Sequence, residues 1–259
     1  MLSIGIDSGS STTKGILYDG QNIIDKQIVA TGANPKRTIK KVYESLKSSA
    51  GEMGKDTYTV TTGYGRDLLI EADKRVTEIT CHGKGAAVLY EHVGAVVDIG
   101  GQDSKVILLD RDKNVKDFLM NDKCAAGTGR FVEVIMRLLH QDLFDLDTYV
   151  EEAKAVKISS MCTVFAESEV ISLLAQDVKG HCIAKGVVDS ICERTAIFAN
   201  KLPLEGPIFF SGGLAQFEVI RNELETCLSL DVITHEYAQF VGAIGAASIG
   251  YNKIKTKGD

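Results

Sequence analysis

The chain has 259 residues, an apolar share of 44% and a formal net charge of −6, which is typical of one large or two medium globular domains. The acidic balance, without a basic stripe, argues against nucleic acid as the main partner. No apolar run approaches the roughly 18 residues that span a membrane, and no signal peptide opens the sequence, so we expect a cytoplasmic protein. Its six cysteines are scattered without a CxxC pair, which argues against a disulfide framework.

The first predicted element is a β-hairpin whose sequence recurs later in the chain. An apolar strand ends at Asp7, a Gly/Ser turn follows, and a second apolar strand runs from Lys14 to Tyr18. An offset of 91 residues pairs Asp7 with Asp98, Gly9 with Gly100, Lys14 with Lys105, Leu17 with Leu108 and Asp19 with Asp110. Such turns present backbone N–H groups to phosphate, and the aspartate can hold a metal ion or a water. The repeat predicts two facing phosphate-binding hairpins; two ordinary hairpins with Gly and Asp in their turns are the alternative.

The other predicted elements follow in chain order. Before the second hairpin we predict a strand at 27–31, a helix at 39–48, a strand at 58–62 and a small-residue helix at 81–89. After it we predict helices at 129–139, 163–175, 183–201 and 217–228, with a strand at 207–210 between the last two. The small apolar residues of 240–247 favour tight helix packing, as at a hinge between two lobes.

A glycine pair, Gly212-Gly213, lies between the strand at 207–210 and the following helix. Glycines in this position allow a ligand to approach the backbone closely, here the adenosine end of a nucleotide. Capping of the helix is the alternative.

The duplicated hairpins, the late glycine pair and the small-residue helix together resemble the superfamily of sugar kinases, heat-shock ATPases and actin. This resemblance implies an α/β fold of two lobes, each with a five-stranded mixed sheet, closing on Mg-ATP. We expect residues 1–91 with 240–259 to form the first lobe and residues 92–239 to form the second. Because the superfamily includes kinases, chaperones and filaments, the fold leaves the function open.

Two cysteines, Cys124 and Cys162, are each predicted near the start of an amphipathic helix, where the helix dipole favours a thiolate and metal or cluster ligation. Buried thiols are the alternative. Their surroundings, residues 121–131 and 159–170, closely resemble the activators of 2-hydroxyacyl-CoA dehydratases and benzoyl-CoA reductases, the BadF/BadG/BcrA/BcrD-type ATPases. Further matches to that family are Thr62-Gly63-Tyr64-Gly65-Arg66, Cys81-His82 and residues 98–103. For Cys81-His82 itself we favour core packing over metal ligation.

This family resemblance implies an ATP-hydrolysing one-electron donor. It implies that Cys124 and Cys162 of two subunits hold one [4Fe-4S] cluster per homodimer. Electrons would come from a ferredoxin or flavodoxin and pass to an iron–sulfur dehydratase or reductase component. A small-molecule kinase and a non-catalytic actin-like assembly protein remain the alternatives, and the two cysteines distinguish the activator from both.

The resemblance also implies a role for each residue that matches the family's ATP site. The terminal phosphates of ATP are expected at Ser10, Ser11, Thr12, Thr13 and Lys14, and on the opposite side at Gly100, Gly101, Gln102 and Asp103. Magnesium or its waters are expected at Asp7 and Asp98, and the ribose or adenine at Gly212, Gly213 and Gln239. The candidates for orienting the attacking water are Asp7, Asp98 and Gln102.

Overall fold

The computed structural model describes residues 1–123, 125–159 and 163–258, and these fall into two compact units. The first unit comprises Met1–Val93, Leu109–Lys116 and Tyr237–Asp259, and the second comprises Gly94–Leu108 and Asp117–Glu236. None of the helices in these described ranges is both long enough and apolar enough to cross a membrane.

The first unit is built on one mixed sheet. Its strands are β1 (Ser3–Ser8), β2 (Thr12–Tyr18), β3 (Ile23–Ala30), β4 (Tyr58–Thr62) and β5 (Lys74–Arg75). Its helices are α1 (Pro35–Ser49), α2 (Glu78–Leu89) and α8 (Val241–Gly258). The strand order is β3-β2-β1-β4-β5, in which β1 pairs antiparallel with β2 and parallel with β4.

Successive residues of β1 point to opposite faces of the sheet, and each face is covered by a helix. Ile4 and Ile6 are fully buried in a core that includes Leu46 of α1, and burying each such side chain stabilises the fold by about 1.5–3 kcal/mol. Gly5, between them, lies against the backbone of α8 at Ala243. The sheet is therefore covered by α1 on one face and by α8 on the other.

Helix α1 begins and ends where its sequence signals predict. The Asn34 side chain accepts a hydrogen bond from the Arg37 N–H at 3.0 Å, and Pro35 occupies the first turn, where its missing N–H costs nothing. The helix faces the sheet with Ile39, Val42 and Leu46, and it stops before Gly51, which has φ +58°.

Helices α2 and α8 approach each other at backbone distance because both carry glycines at the contact. A side chain on Gly245 would collide with the Cys81 carbonyl, and one on Gly85 would collide with the Val241 carbonyl. This confirms the tight packing predicted for the small-residue segment 240–247.

The second unit repeats the arrangement of the first. The strands of its sheet are β6 (Ala95–Ile99), β7 (Ser104–Leu109), β8 (Val115–Asn121), β9 (Ile208–Gly212) and β10 (Val232–Ile233). The last residue of β7 and the first two of β8 belong to the range 109–116 of the first unit. Its helices are α3 (Gly129–Leu138), α4 (Leu146–Val150), α5 (Thr163–Leu174), α6 (Gly180–Ala199) and α7 (Glu218–Leu228). The order β10-β9-β6-β7-β8 places β6 between an antiparallel and a parallel neighbour, as β1 is in the first sheet. The predicted fold class, with a mixed five-stranded sheet in each half, is confirmed.

Candidate nucleotide site

The first hairpin has a turn that is fixed by the neighbouring strand. Gly9 N–H donates to the Thr12 carbonyl at 3.1 Å, while Ser10 and Ser11 at the tip are exposed. Thr31, just beyond β3, donates its N–H to the Ser11 carbonyl at 2.9 Å and its hydroxyl to the Gly9 carbonyl at 2.8 Å. A turn held this firmly needs little reorganisation to bind an anion.

Thr13 and Lys14, both predicted to contact phosphate, differ in their burial and in their neighbours. The buried Thr13 hydroxyl shares a 2.9 Å hydrogen bond with the Thr31 hydroxyl, so this side chain braces the hairpin. Lys14 is half-buried and stands opposite Asp7 in the β1–β2 register. Lys14 therefore remains the better side-chain candidate for an ATP phosphate.

Asp7 lies at the end of β1 and is 6% exposed. A side chain added to Gly63 would collide with Asp7 Oδ1. A methyl group added to Gly242, near the start of α8, would lie 2.6 Å from Asp7 Oδ2 and 2.9 Å from His82 Cε1. The carboxylate is thus surrounded by close glycine backbone and one imidazole ring, a setting that the sequence did not reveal.

The side chain of Ser8, next to Asp7, carries a hydroxyl that could bind a ligand. Its hydroxyl is buried and has no hydrogen-bond partner among the residues that the structure describes. Leaving a buried hydroxyl unpaired costs about 1–3 kcal/mol, so a bound water, cation or phosphate oxygen would stabilise it. Ser8 and Asp7 therefore fit a magnesium-nucleotide.

The second hairpin differs from the first in its charges. Asp98 is 3% exposed; its Oδ2 lies 3.2 Å from Lys105 Nζ, and its Oδ1 accepts a 2.7 Å hydrogen bond from the Ser211 hydroxyl. The same ammonium lies 3.1 Å from Asp103 Oδ2. Gly100 N–H donates to the Asp103 carbonyl at 2.9 Å, which reproduces the Gly9–Thr12 bond.

The predicted glycine pair adjoins this hairpin, because Gly212 pairs with Ile99 in the β6–β9 register. Gly212 has φ +95°, and a side chain there would collide with the Ile99 backbone, so only glycine fits without strain. Gly213 is exposed with open space at its Cα. Gly63 repeats this arrangement in the first unit, with φ +80° after β4.

The second hairpin is also bonded to the start of α3. Gly129 N–H donates to the Gly100 carbonyl at 2.8 Å, and Arg130 N–H donates to the Gly101 carbonyl at 3.1 Å. These two N–H groups belong to the first turn of the helix, where no intrahelical acceptor exists for them. The hairpin therefore shares a rigid connection with the segment that follows position 124.

Four predicted site residues remain: two glutamines, which the structure describes, and two cysteines, which lie outside the described residues. Gln102 is exposed at the tip of the second hairpin, and Gln239 is half-buried in the single turn before α8. Cys124 and Cys162 both lie outside the described residues. Within the described ranges, no three His, Cys, Asp or Glu side chains gather into a metal site.

The four other cysteines are free thiols in the structure. Burial raises the pKa of Cys81 to about 12 and that of Cys192 well above its usual value. Burial, assisted by the Glu223 charge, raises the pKa of Cys227 to about 11. Thiols of this kind remain protonated near neutral pH and are poor ligands for iron. The predicted packing role of Cys81-His82 agrees with its burial and with the 2.9 Å hydrogen bond between His82 Nδ1 and the Glu78 carbonyl.

We expect these thiols to resist alkylation in the folded protein. At pH 8 a thiol of pKa about 11, as at Cys227, is ionised in only about one molecule in a thousand. Iodoacetamide followed by peptide mass spectrometry should therefore modify Cys81, Cys192 and Cys227 slowly, and partly exposed Cys182 faster. Rapid labelling of Cys81 in folded protein would contradict this assignment.

Comparison with known proteins identifies a family for this chain and several relatives. The profile of the BadF/BadG/BcrA/BcrD ATPase family matches residues 4–250. The activator of lactoyl-CoA dehydratase from Anaerotignum propionicum is 41% identical over 99% of this chain and 100% of its own. The uncharacterised protein YjiL of Escherichia coli K12 is 49% identical, over 98% of each chain. The Clostridium difficile activator of 2-hydroxyisocaproyl-CoA dehydratase, solved with bound ADPNP, superimposes with a TM-score of 0.93 at 34% identity, over 100% of this chain and 97% of that one.

Proposed function

Because the chain belongs to the BadF/BadG/BcrA/BcrD ATPase family, we propose that it hydrolyses ATP to donate single electrons at low potential to an iron–sulfur dehydratase or reductase component. The observation that carries the proposal is the end-to-end similarity to dehydratase activators, 41% identical over 99% of the chain. The kinase and filament readings have only the shared fold in their favour.

The nucleotide part of the proposal is supported by the two hairpins. Ser10 and Ser11 present exposed hydroxyls at the tip of a braced turn, and Asp7 offers a buried carboxylate beside the Ser8 hydroxyl that lacks a partner in the described chain. A relative at 34% identity was solved with ADPNP bound. We infer that ATP with Mg²⁺ binds at the hairpins and that Gly213, which is exposed, contacts the nucleoside.

The redox part assigns one [4Fe-4S] cluster to a homodimer, held by Cys124 and Cys162 of each subunit. Three of the four other cysteines are unsuited to ligation because their pKa values are raised. When bound, the cluster would carry the transferred electron, which a ferredoxin or flavodoxin supplies. One-electron driving force changes by about 59 mV per 1.4 kcal/mol, so a few kcal/mol from ATP would make the electron markedly more reducing.

The test is electron donation that depends on ATP. Protein purified without oxygen is reduced with dithionite, freed of excess reductant and mixed with a 2-hydroxyacyl-CoA dehydratase component. We expect the dehydratase to become active with Mg-ATP and to stay inactive with ADP or without nucleotide. An iron-free protein that phosphorylates a sugar, and leaves the dehydratase inactive, would replace this proposal with the kinase.

A further inference from the structure

The two copies of the hairpin carry aligned lysines, Lys14 and Lys105, but only Lys105 is buried. Its side chain is only 4% exposed, and its ammonium lies 3.2 Å from Asp98 Oδ2 and 3.1 Å from Asp103 Oδ2. A buried ammonium between two carboxylates occupies the kind of position that a metal ion would otherwise take. In the first copy the residue aligned with Asp103 is Thr12, a neutral side chain.

Both oxygens of the Asp98 carboxylate are already engaged. Lys105 contacts Oδ2, and the Ser211 hydroxyl donates to Oδ1 at 2.7 Å. Asp7 instead lies close to two glycines and the His82 ring. Lys14 stands opposite Asp7 in the strand register and is half-buried, but no ion pair joins these two described residues. A divalent cation would have to compete with an ammonium for Asp98, whereas at Asp7 it would meet a carboxylate set among glycines.

We propose that Lys105 is a positioning residue that acts as an internal cation for the second hairpin, and that the divalent cation of the ATPase reaction is held through Asp7 rather than Asp98. This inference rests on the proposed ATPase function. Lys105 holds Asp98 and Asp103 in place, and the Asp103 carbonyl in turn holds the Gly100 N–H at 2.9 Å. The turn from Gly100 to Asp103 thereby keeps the geometry that a phosphate requires.

Removing the ammonium would leave the buried Asp98 carboxylate and the partly exposed Asp103 carboxylate without the cation that both now contact. Their repulsion would drive Asp103, the more exposed of the two at 26%, away from Asp98. The turn would then lose its fixed backbone geometry while the first hairpin, with Asp7, stayed intact. Loss of the Lys105 ammonium should therefore lower kcat for ATP hydrolysis without changing the Mg²⁺ concentration that gives half the maximal rate.

The experiment compares Lys105→Met, Lys105→Arg and Asp7→Asn with wild type. Lys84→Met is the matched control, because Lys84 is a lysine whose ammonium binds the exposed Asn114 side chain at 2.8 Å. ATP hydrolysis is followed against both ATP and Mg²⁺ concentration, and ATP binding is measured separately by calorimetry. If Lys105→Met does not fold, Lys105→Met combined with Asp103→Asn removes the repulsion and serves in its place.

Because misplacing a reacting group by about 1 Å costs up to about 100-fold, we expect Lys105→Met to lower kcat at least tenfold with an unchanged half-saturating Mg²⁺. Lys105→Arg should recover part of the rate, Lys84→Met should match wild type, and Asp7→Asn should raise the half-saturating Mg²⁺. The inference is overturned if Lys105→Met behaves like Lys84→Met, or if it shifts the Mg²⁺ dependence as Asp7→Asn does. Failure of wild type to hydrolyse ATP would instead overturn the proposed function.

Discussion

Replacement of Cys124 or Cys162 by serine is expected to remove the iron from the protein completely. Each subunit would supply two of the four thiolates, so one substitution removes two ligands from the shared cluster. Wild type purified without oxygen should contain about two iron atoms and two sulfides per chain, as one [4Fe-4S] cluster per dimer requires. Iron and sulfide analysis, with the visible spectrum and the oligomeric mass, measures this directly.

Cys182→Ser is the matched control for the two cysteine variants. Cys182 is a half-buried thiol on α6, and its replacement should leave iron and colour unchanged. Binding of ATP should persist in all three variants, because the hairpins belong to separate elements. If Cys124→Ser and Cys162→Ser both keep their iron and colour, the ligand assignment is wrong.

Gly129→Pro is expected to separate ATP binding from electron transfer. Gly129 is the first residue of α3, a position that accepts proline, and Thr128 before it is extended at φ −132°, ψ 165°, as proline requires. The helix should therefore form, but the 2.8 Å bond to the Gly100 carbonyl is lost, and the ring Cδ, which replaces the amide hydrogen, pushes that carbonyl away. Since coupling between sites is typically about 1–3 kcal/mol, we expect ATP-dependent electron transfer to fall about tenfold or more, and by a larger factor than ATP affinity.

Gly129→Ala is the matched control because alanine keeps the N–H. Its methyl group would lie 3.2 Å from the Gly100 carbonyl oxygen, a tight contact that a small shift can relieve. Hydrogen exchange over residues 125–138 reports the connection without the cluster. ATP should slow exchange there in wild type and Gly129→Ala but not in Gly129→Pro. Equal protection in all three proteins would show that this connection does not carry the effect.

The fold could be predicted from the sequence because the repeated motif predicts the same hairpin at two distant places in the chain. Asp7 and Asp98 end equivalent strands, and the bonds from Gly9 to Thr12 and from Gly100 to Asp103 are the same. The short edge strands β5 and β10 escaped prediction, since two residues cannot display a period. Strand β8 was missed as well, because its side chains are largely exposed and carry no apolar alternation.

The surroundings of the two aspartates could not be predicted from the sequence. Strands β1 and β4, which bring Gly63 to Asp7, are separated by two strands and a helix, and Gly242 arrives from the far end of the chain. Ser211 reaches Asp98 across 113 residues. Local sequence patterns identify which residues can bind a phosphate. The residues that contact each aspartate, however, are determined by how strands from distant parts of the chain pair.

The position of α8 in the chain has a consequence for biosynthesis. This helix packs on β1, β2, β4 and α2, and its glycines fit against Cys81 and Gly85, yet it follows the second unit in sequence. The ribosome therefore releases the whole of residues 94–236 before the helix that covers one face of the first sheet is available. Because domains fold as units once their elements are complete, the second unit can mature first, while the first sheet is left with an uncovered apolar face that is a natural target for chaperones.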